Sequence, residues 1–147
     1  MNLLLIDDGK LAVNSLIEGV DWDNAGIGEV FCTFCIEDAK KVIFDSNIDI
    51  VVCDVEIAGE SGIEFLKWLG KNHPNIISII LTAHKRFEYV QQAISLKVHC
   101  YLLKPIQHKT FEEEIRICVK ICLKMRLMER DKKFAENFQS QPKIAEE

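Results

Sequence analysis

The sequence predicts a doubly wound α/β domain, in which five short strands form a parallel sheet with helices on both faces. Two observations carry this expectation. Compact apolar runs without strict alternation recur along the chain, as in strands buried on both faces. Between them lie segments whose apolar residues follow a helical period of about 3.6. A βα unit repeated five times calls for parallel strands with crossover helices. A length of 147 residues suits one domain with a substantial core.

The first strand is "LLLI", residues 3–6. A helix is expected over 10–20, where Val13, Ile17 and Val20 share a face. "GEVFCTFC", 28–35, is the second and weakest strand. Ala39, Val42 and Ile43 then mark a helix over 37–45. The third strand is "IVVC", 50–53, and Ile63, Leu66 and Leu69 line a helix over 61–71. "HPN" at 73–75 interrupts the chain before the fourth strand, "IISIIL", 76–81. Phe87, Val90, Ala93 and Ile94 line a helix over 86–96. The fifth strand, "CYLL", 100–103, is closed by "KPI". Phe111, Ile115, Cys118, Val119 and Cys122 line a last helix from about residue 109. The folded domain is thus expected over 1–123. Apolar density falls from 124 to 147, which reads as a helical extension or linker with a disordered end.

Composition excludes several classes. Apolar residues make up 48% and charged residues 28%, as in soluble globular chains. No apolar run has the length of a membrane span. "MNLLLI" lacks a basic flank and runs into two acids, unlike a signal peptide. A net charge of −5 argues against broad nucleic-acid binding by this segment. The six cysteines, at 32, 35, 53, 100, 118 and 122, sit mostly in apolar runs and read as reduced thiols of a cytoplasmic protein.

Ligands of open α/β sheets bind beyond the carboxyl ends of the strands. There this chain places Asp7 and Asp8 after strand one, Asp54 after strand three, Thr82 after strand four and Lys104 after strand five. Three clustered carboxylates repel one another. Lys104 offsets one charge, and a divalent cation suits the rest. Oxygen-only ligands with room for water favour Mg²⁺, and Mn²⁺ also fits. One such acid alone would read as a solvated loop residue or helix cap. All five groups at successive strand ends read as a site.

These residues, together with Ala83, Tyr101 and Pro105, resemble the receiver domain of two-component response regulators over about residues 2–122. "LTAHKRFEYVQQAISLKVHCYLLKPI" and "GVDWDNAGI" further resemble receivers that precede AraC-type DNA-binding domains. The resemblance implies the flavodoxin-like fold with strand order 2-1-3-4-5. It implies that Asp54 accepts a phosphoryl group from a histidine kinase, with slow self-dephosphorylation and no other enzymatic activity. Asp8, Asp54 and the Glu56 backbone carbonyl would ligate Mg²⁺, with Asp7 acting through a water. Thr82, Ala83 and Lys104 would bind the phosphoryl oxygens, and the Lys104–Pro105 peptide bond would be cis. Glu56 and His84 occupy the two variable positions that influence the phosphate's lifetime. Thr82 and Tyr101 would switch the face made by the fourth helix, fifth strand and fifth helix, which is also the expected contact for a homodimer. Tyr101 reads equally, on residue type alone, as an amphipathic edge-strand aromatic. The family's output would be a DNA-binding domain beyond residue 147; a stand-alone receiver is the alternative. Ala58 departs from the family, which usually carries proline there, and this leaves the loop after Asp54 free to loosen.

Three rival readings are weaker. "CTFC" at 32–35 has zinc-ligand spacing but lies on a strand pattern, without a second matching pair. An aspartate-based phosphohydrolase needs two acids spaced two apart after strand one, whereas Asp7 and Asp8 are adjacent. A flavin or nucleotide binder needs a Gly- or Ser/Thr-rich cradle there, where two carboxylates would repel a phosphate.

Overall fold

The computed structural model describes residues 1–84 and 86–140, and only the backbone of residues 87 and 138–140. The chain opens with β1 (Asn2–Ile6), α1 (Lys10–Gly19), the short α2 (Trp22–Ala25) and β2 (Glu29–Thr33). α3 (Ile36–Asp45), β3 (Ile50–Asp54) and a small pair, β4 (Glu56–Ile57) and β5 (Glu60–Ser61), follow. α4 (Gly62–Asn72), β6 (Ile77–Thr82), α5 (Phe87–Ser95), β7 (Cys100–Leu103) and the long α6 (His108–Ser140) complete it. The disorder expected at the chain's end falls on residues 141–147, outside the described residues.

The main sheet is parallel, in the order β2-β1-β3-β6-β7. Counting its strands alone, this is the expected order 2-1-3-4-5. Alternation along the strands feeds two cores. Leu4, Ile6, Val51, Cys53 and Ile80 pack against α3, α4 and α5 through Ala39, Ile43, Leu66, Leu69 and Ala93. Leu3, Leu5, Ile50, Val52, Ile79 and Leu81 pack against α1 and α6 through Val13, Leu16, Phe111, Ile115 and Cys118. Both faces being covered explains why β1 and β3 read as unbroken apolar runs. Leu3 to Ile6 are fully buried, and each such side chain contributes about 1.5–3 kcal/mol through burial.

Two face assignments need correction. Ile17 is 36% exposed, and Leu16 takes the buried position on α1. Ile94 is 73% exposed, and Ala93 alone of that pair is buried on α5. Adjacent helical positions differ by about 100°, so a face read from sparse apolar residues shifts easily by one. The short helix α2 and the β4/β5 pair had no counterpart in the sequence expectation. α2 is fixed by Asp21, whose side chain accepts from Asn24 N at 3.1 Å, and by Trp22, whose ring meets Phe111 edge-on at 5.9 Å.

All six cysteines are free thiols. Burial, followed by nearby negative charge, pushes Cys53, Cys100 and Cys118 well above their ordinary value of 9.0. The folded chain therefore keeps these protons where the unfolded chain releases them. Their contribution to stability is complete below about pH 9 and is lost as pH rises through the folded-state values. Urea midpoints are expected to fall steadily above about pH 9, and Cys118→Ala should flatten that slope; equal slopes in the two proteins would exclude this origin.

Candidate functional site

Strand register builds the site. Ile6 lies beside Cys53 across β1 and β3, which brings Asp7 and Asp54 to adjacent strand ends. Leu103 lies beside Thr82 across β6 and β7, and Lys104 N extends the ladder by donating to Thr82 O at 2.8 Å. The Lys104–Pro105 peptide bond is cis.

The Lys104 ammonium donates to Asp7 Oδ2 at 2.5 Å and to Asp54 Oδ2 at 2.8 Å. Burial alone would lower its pKa, but the hydrogen bonds and charges of Asp54 and Asp7 outweigh this and hold it above 10.5. Asp7 is 2% exposed, Asp54 is half-buried and Asp8 is exposed. Carboxylate oxygens of all three lie within 4.8 Å of one another. None of these acids caps α1. Gly9 takes the N-cap position, where no side chain accepts a hydrogen bond. Asp7 Oδ1 instead accepts from Gly9 N at 2.9 Å, and Asp8 Oδ2 accepts from Ala58 N at 2.8 Å.

One ammonium among three carboxylates leaves a formal charge of −2 to be offset. The donor set is oxygen only, and it adjoins a cleft of about 210 Å³ reaching Glu56, Gly59, Ala83 and His84. At about 30 Å³ per water, that cleft has room for several. These features fit a hard, partly hydrated divalent ion such as Mg²⁺ or Mn²⁺. Two larger clefts, of about 690 and 600 Å³, lie around Asp49 and Arg126 and include none of these groups, whereas a third, of about 420 Å³, borders Lys104 and Ala83 beside α1.

Thr82 is fully buried. Its Oγ1 accepts from His84 N at 3.1 Å and lies 3.3 Å from His84 O. Tyr101 donates its hydroxyl to the same carbonyl at 2.6 Å. The backbone of His84 thus joins Thr82 to Tyr101. Cys32 and Cys35, by contrast, join no cluster of three metal-ligand atoms among the described residues.

The loop after Asp54 is tighter than expected. β4 and β5 pair through a two-residue turn with positive φ at both centres, 52° at Ala58 and 80° at Gly59. That backbone matches the twist of paired strands. Gly62 N closes the hairpin by donating to Val55 O at 2.8 Å, and a Cβ on Gly62 would collide with the Asp54 carbonyl. Ser61 then caps α4 by accepting from Glu64 N. The Ser-x-x-Glu spacing in "SGIE" was the available signal for that helix start. Ala58's role as a donor to Asp8 had no sequence signal.

A family model described as the response regulator receiver domain matches residues 3–116. The chain belongs to that family. Among the receiver's relatives, YesN of Bacillus subtilis, called an uncharacterized transcriptional regulatory protein, is 28% identical over 103 residues. That match spans 70% of this chain and 28% of YesN. The transcriptional regulatory protein LytR of Staphylococcus aureus is 30% identical over 115 residues, or 78% of this chain and 46% of LytR. The receiver therefore spans less than half the length of either relative. Among solved structures, the receiver domain of the response regulator AraT from Geobacillus stearothermophilus superposes with a TM-score of 0.73 at 25% identity. It covers 87% of this chain and 97% of that one.

Ala58 offers a test of the loop. Proline at 58 would lack the N–H that Asp8 accepts and cannot adopt a φ of 52°. Ala58→Pro is expected to destabilise the receiver by about 3 kcal/mol in urea denaturation. Ala58→Gly, which relieves the left-handed backbone, should stay within about 1 kcal/mol of the parent. A neutral Ala58→Pro would refute the hairpin.

Proposed function

We propose that this receiver takes a phosphoryl group from a histidine kinase onto Asp54 and passes the change to an output through α5, β7 and α6. The observation that carries this reading is the Lys104 ammonium held between Asp54 and the buried Asp7, with Asp8 beside them. An Asp54 oxygen would attack the phosphorus of a phosphohistidine, the P–N bond would break, and the imidazole would leave. Phosphoryl transfer depends mainly on positioning and charge stabilisation. Asp8, Asp54 and the Glu56 carbonyl, with Asp7 through a water, would hold Mg²⁺ or Mn²⁺, which supplies charge neutralisation at the transferring oxygens. Lys104, no longer facing a free Asp54 carboxylate, would turn its ammonium to a phosphoryl oxygen. The Thr82 hydroxyl and Ala83 would contact another.

The bonds around His84 support a switch role for Thr82 and Tyr101. A Thr82 hydroxyl drawn to the phosphoryl group leaves His84 N, and the His84 carbonyl that holds Tyr101 moves with it. Ile94 on α5 and Leu103 on β7 are exposed apolar residues on the elements that would respond. They fit a contact with a second receiver or with an output module. The relatives' names favour transcriptional output. In the proposed reading, that output runs through a DNA-binding domain beyond residue 147 of a cytoplasmic regulator. No described helix is long and apolar enough to cross a membrane.

Incubation with acetyl phosphate and Mg²⁺ should add one phosphate by intact-mass measurement, and Asp54→Ala should abolish it. Label retained in Asp54→Ala would overturn the assignment. Glu56 and His84 border the cleft through which water would approach the acyl phosphate. Replacing either should change the decay half-life severalfold while incorporation persists; unchanged half-lives would remove them from this role.

A further inference from the structure

Two clusters of potential metal ligands occur among the described residues, and the second lies where β7 begins beside α6. His99, Cys100 and Glu114 bring a ring nitrogen, a thiol sulfur and a carboxylate oxygen within 4.8 Å of one another. All three residues are half-buried. His99 Nε2 lies 2.7 Å from Glu114 Oε2. The Cys100 thiol is pushed up to about 12 by burial, by the charge of Glu114 and by a hydrogen bond to it. One carboxylate therefore gathers both an imidazole and a thiol. Behind them, Cys118 is fully buried one turn beyond Glu114, close enough that Cys100 and Glu114 raise its thiol further.

We propose that His99, Cys100 and Glu114 form a binding site for a borderline divalent ion of the Zn²⁺ class, with water in the fourth position. On binding, the Cys100 proton would leave to solvent, and His99 would ligate through Nε2 as the neutral imidazole protonated on Nδ1. Nitrogen, sulfur and oxygen donors suit Zn²⁺, Co²⁺ or Ni²⁺, whereas Mg²⁺ takes oxygen alone. The acidic strand ends and this cluster would thus select different ions. Atoms sharing one tetrahedral ion sit about 3.3–3.8 Å apart, so side chains need shift by only about 1 Å. The backbone is already fixed: His99 N donates to Ser78 O at 2.7 Å, Cys100 is in register with Ile79, and Glu114 lies within α6. A filled site would pin the start of β7 to α6.

Co²⁺ is a suitable probe, because a thiolate ligand gives it a charge-transfer band. The full chain would be stripped with a chelator, held in excess Mg²⁺ and titrated with Co²⁺. About one equivalent should produce the band, and Zn²⁺ should displace it. Cys100→Ser should abolish the band, and Glu114→Gln should raise the dissociation constant about tenfold or more. Asp54→Ala and the double variant Cys32→Ser/Cys35→Ser should bind as the parent does. No one-equivalent binding by the parent, or a band surviving Cys100→Ser, would overturn the site. Should Cys100→Ser fail to fold, unweakened binding by Glu114→Gln would do so equally.

Discussion

Neighbouring strands of a sheet run about 4.8 Å apart, and everything at the carboxyl edge follows from that spacing. With Ile6 beside Cys53, the acids that follow cannot be separated without breaking the register. Asp7 is the more constrained, being nearly inaccessible to water. A buried carboxylate needs a charged or hydrogen-bonding partner, and Lys104 reaches it from the end of β7, three strands away. The same ammonium holds Asp54. Lys104 therefore ties β1, β3 and β7 together at the edge where ligands of such sheets bind. Asp8, exposed and accepting from the Ala58 N–H, is the acid with most freedom to meet an incoming ion.

The hairpin after β3 answers the same constraint from the other side. Asp54 must leave a strand and remain near Asp8, so the following residues cannot swing away. Two positive φ values, the Gly62 contact with the Asp54 carbonyl and the Ala58–Asp8 hydrogen bond fold the segment back. Proline, which the resemblance leads one to expect at 58, has a fixed negative φ and no N–H, so it would require a different loop; here a left-handed turn and a backbone donor hold the segment.

The sheet strands were legible because burial on both faces leaves a dense apolar signature, whereas their order followed only from the resemblance to receivers. The acids, Thr82 and Lys104 were legible because they interrupt that signature at strand ends. Other features left no such trace. β4 and β5 have two residues each, too few for any alternation. Ile17 and Ile94 are apolar yet exposed, so periodicity misplaced them by one position. The bond between Ala58 and Asp8 joins residues 50 apart through a main-chain N–H, which no side chain advertises. His99 and Glu114 meet only because the chain passes through β7 before α6, and "HC" within an apolar run reads as core.

β7 is where these constraints are least evenly matched. It is an edge strand of four residues, paired among the described residues only with β6, and none of its residues is fully buried. Local opening free energies are lowest where contacts are few, so a displacement at the sheet edge costs least there. Yet its two ends are held differently. At the start, His99 is anchored to Ser78 O and to Glu114. At the finish, Lys104 is anchored to the two carboxylates. Tyr101 stands between, and its hydroxyl is held by a carbonyl outside the strand, that of His84. A phosphoryl group on Asp54 would re-aim the anchor at the finish, as Lys104 turns to a phosphoryl oxygen, whereas an ion at His99 would strengthen the one at the start. The two sites would act on one strand from opposite ends, and the freedom left to Tyr101 would depend on both.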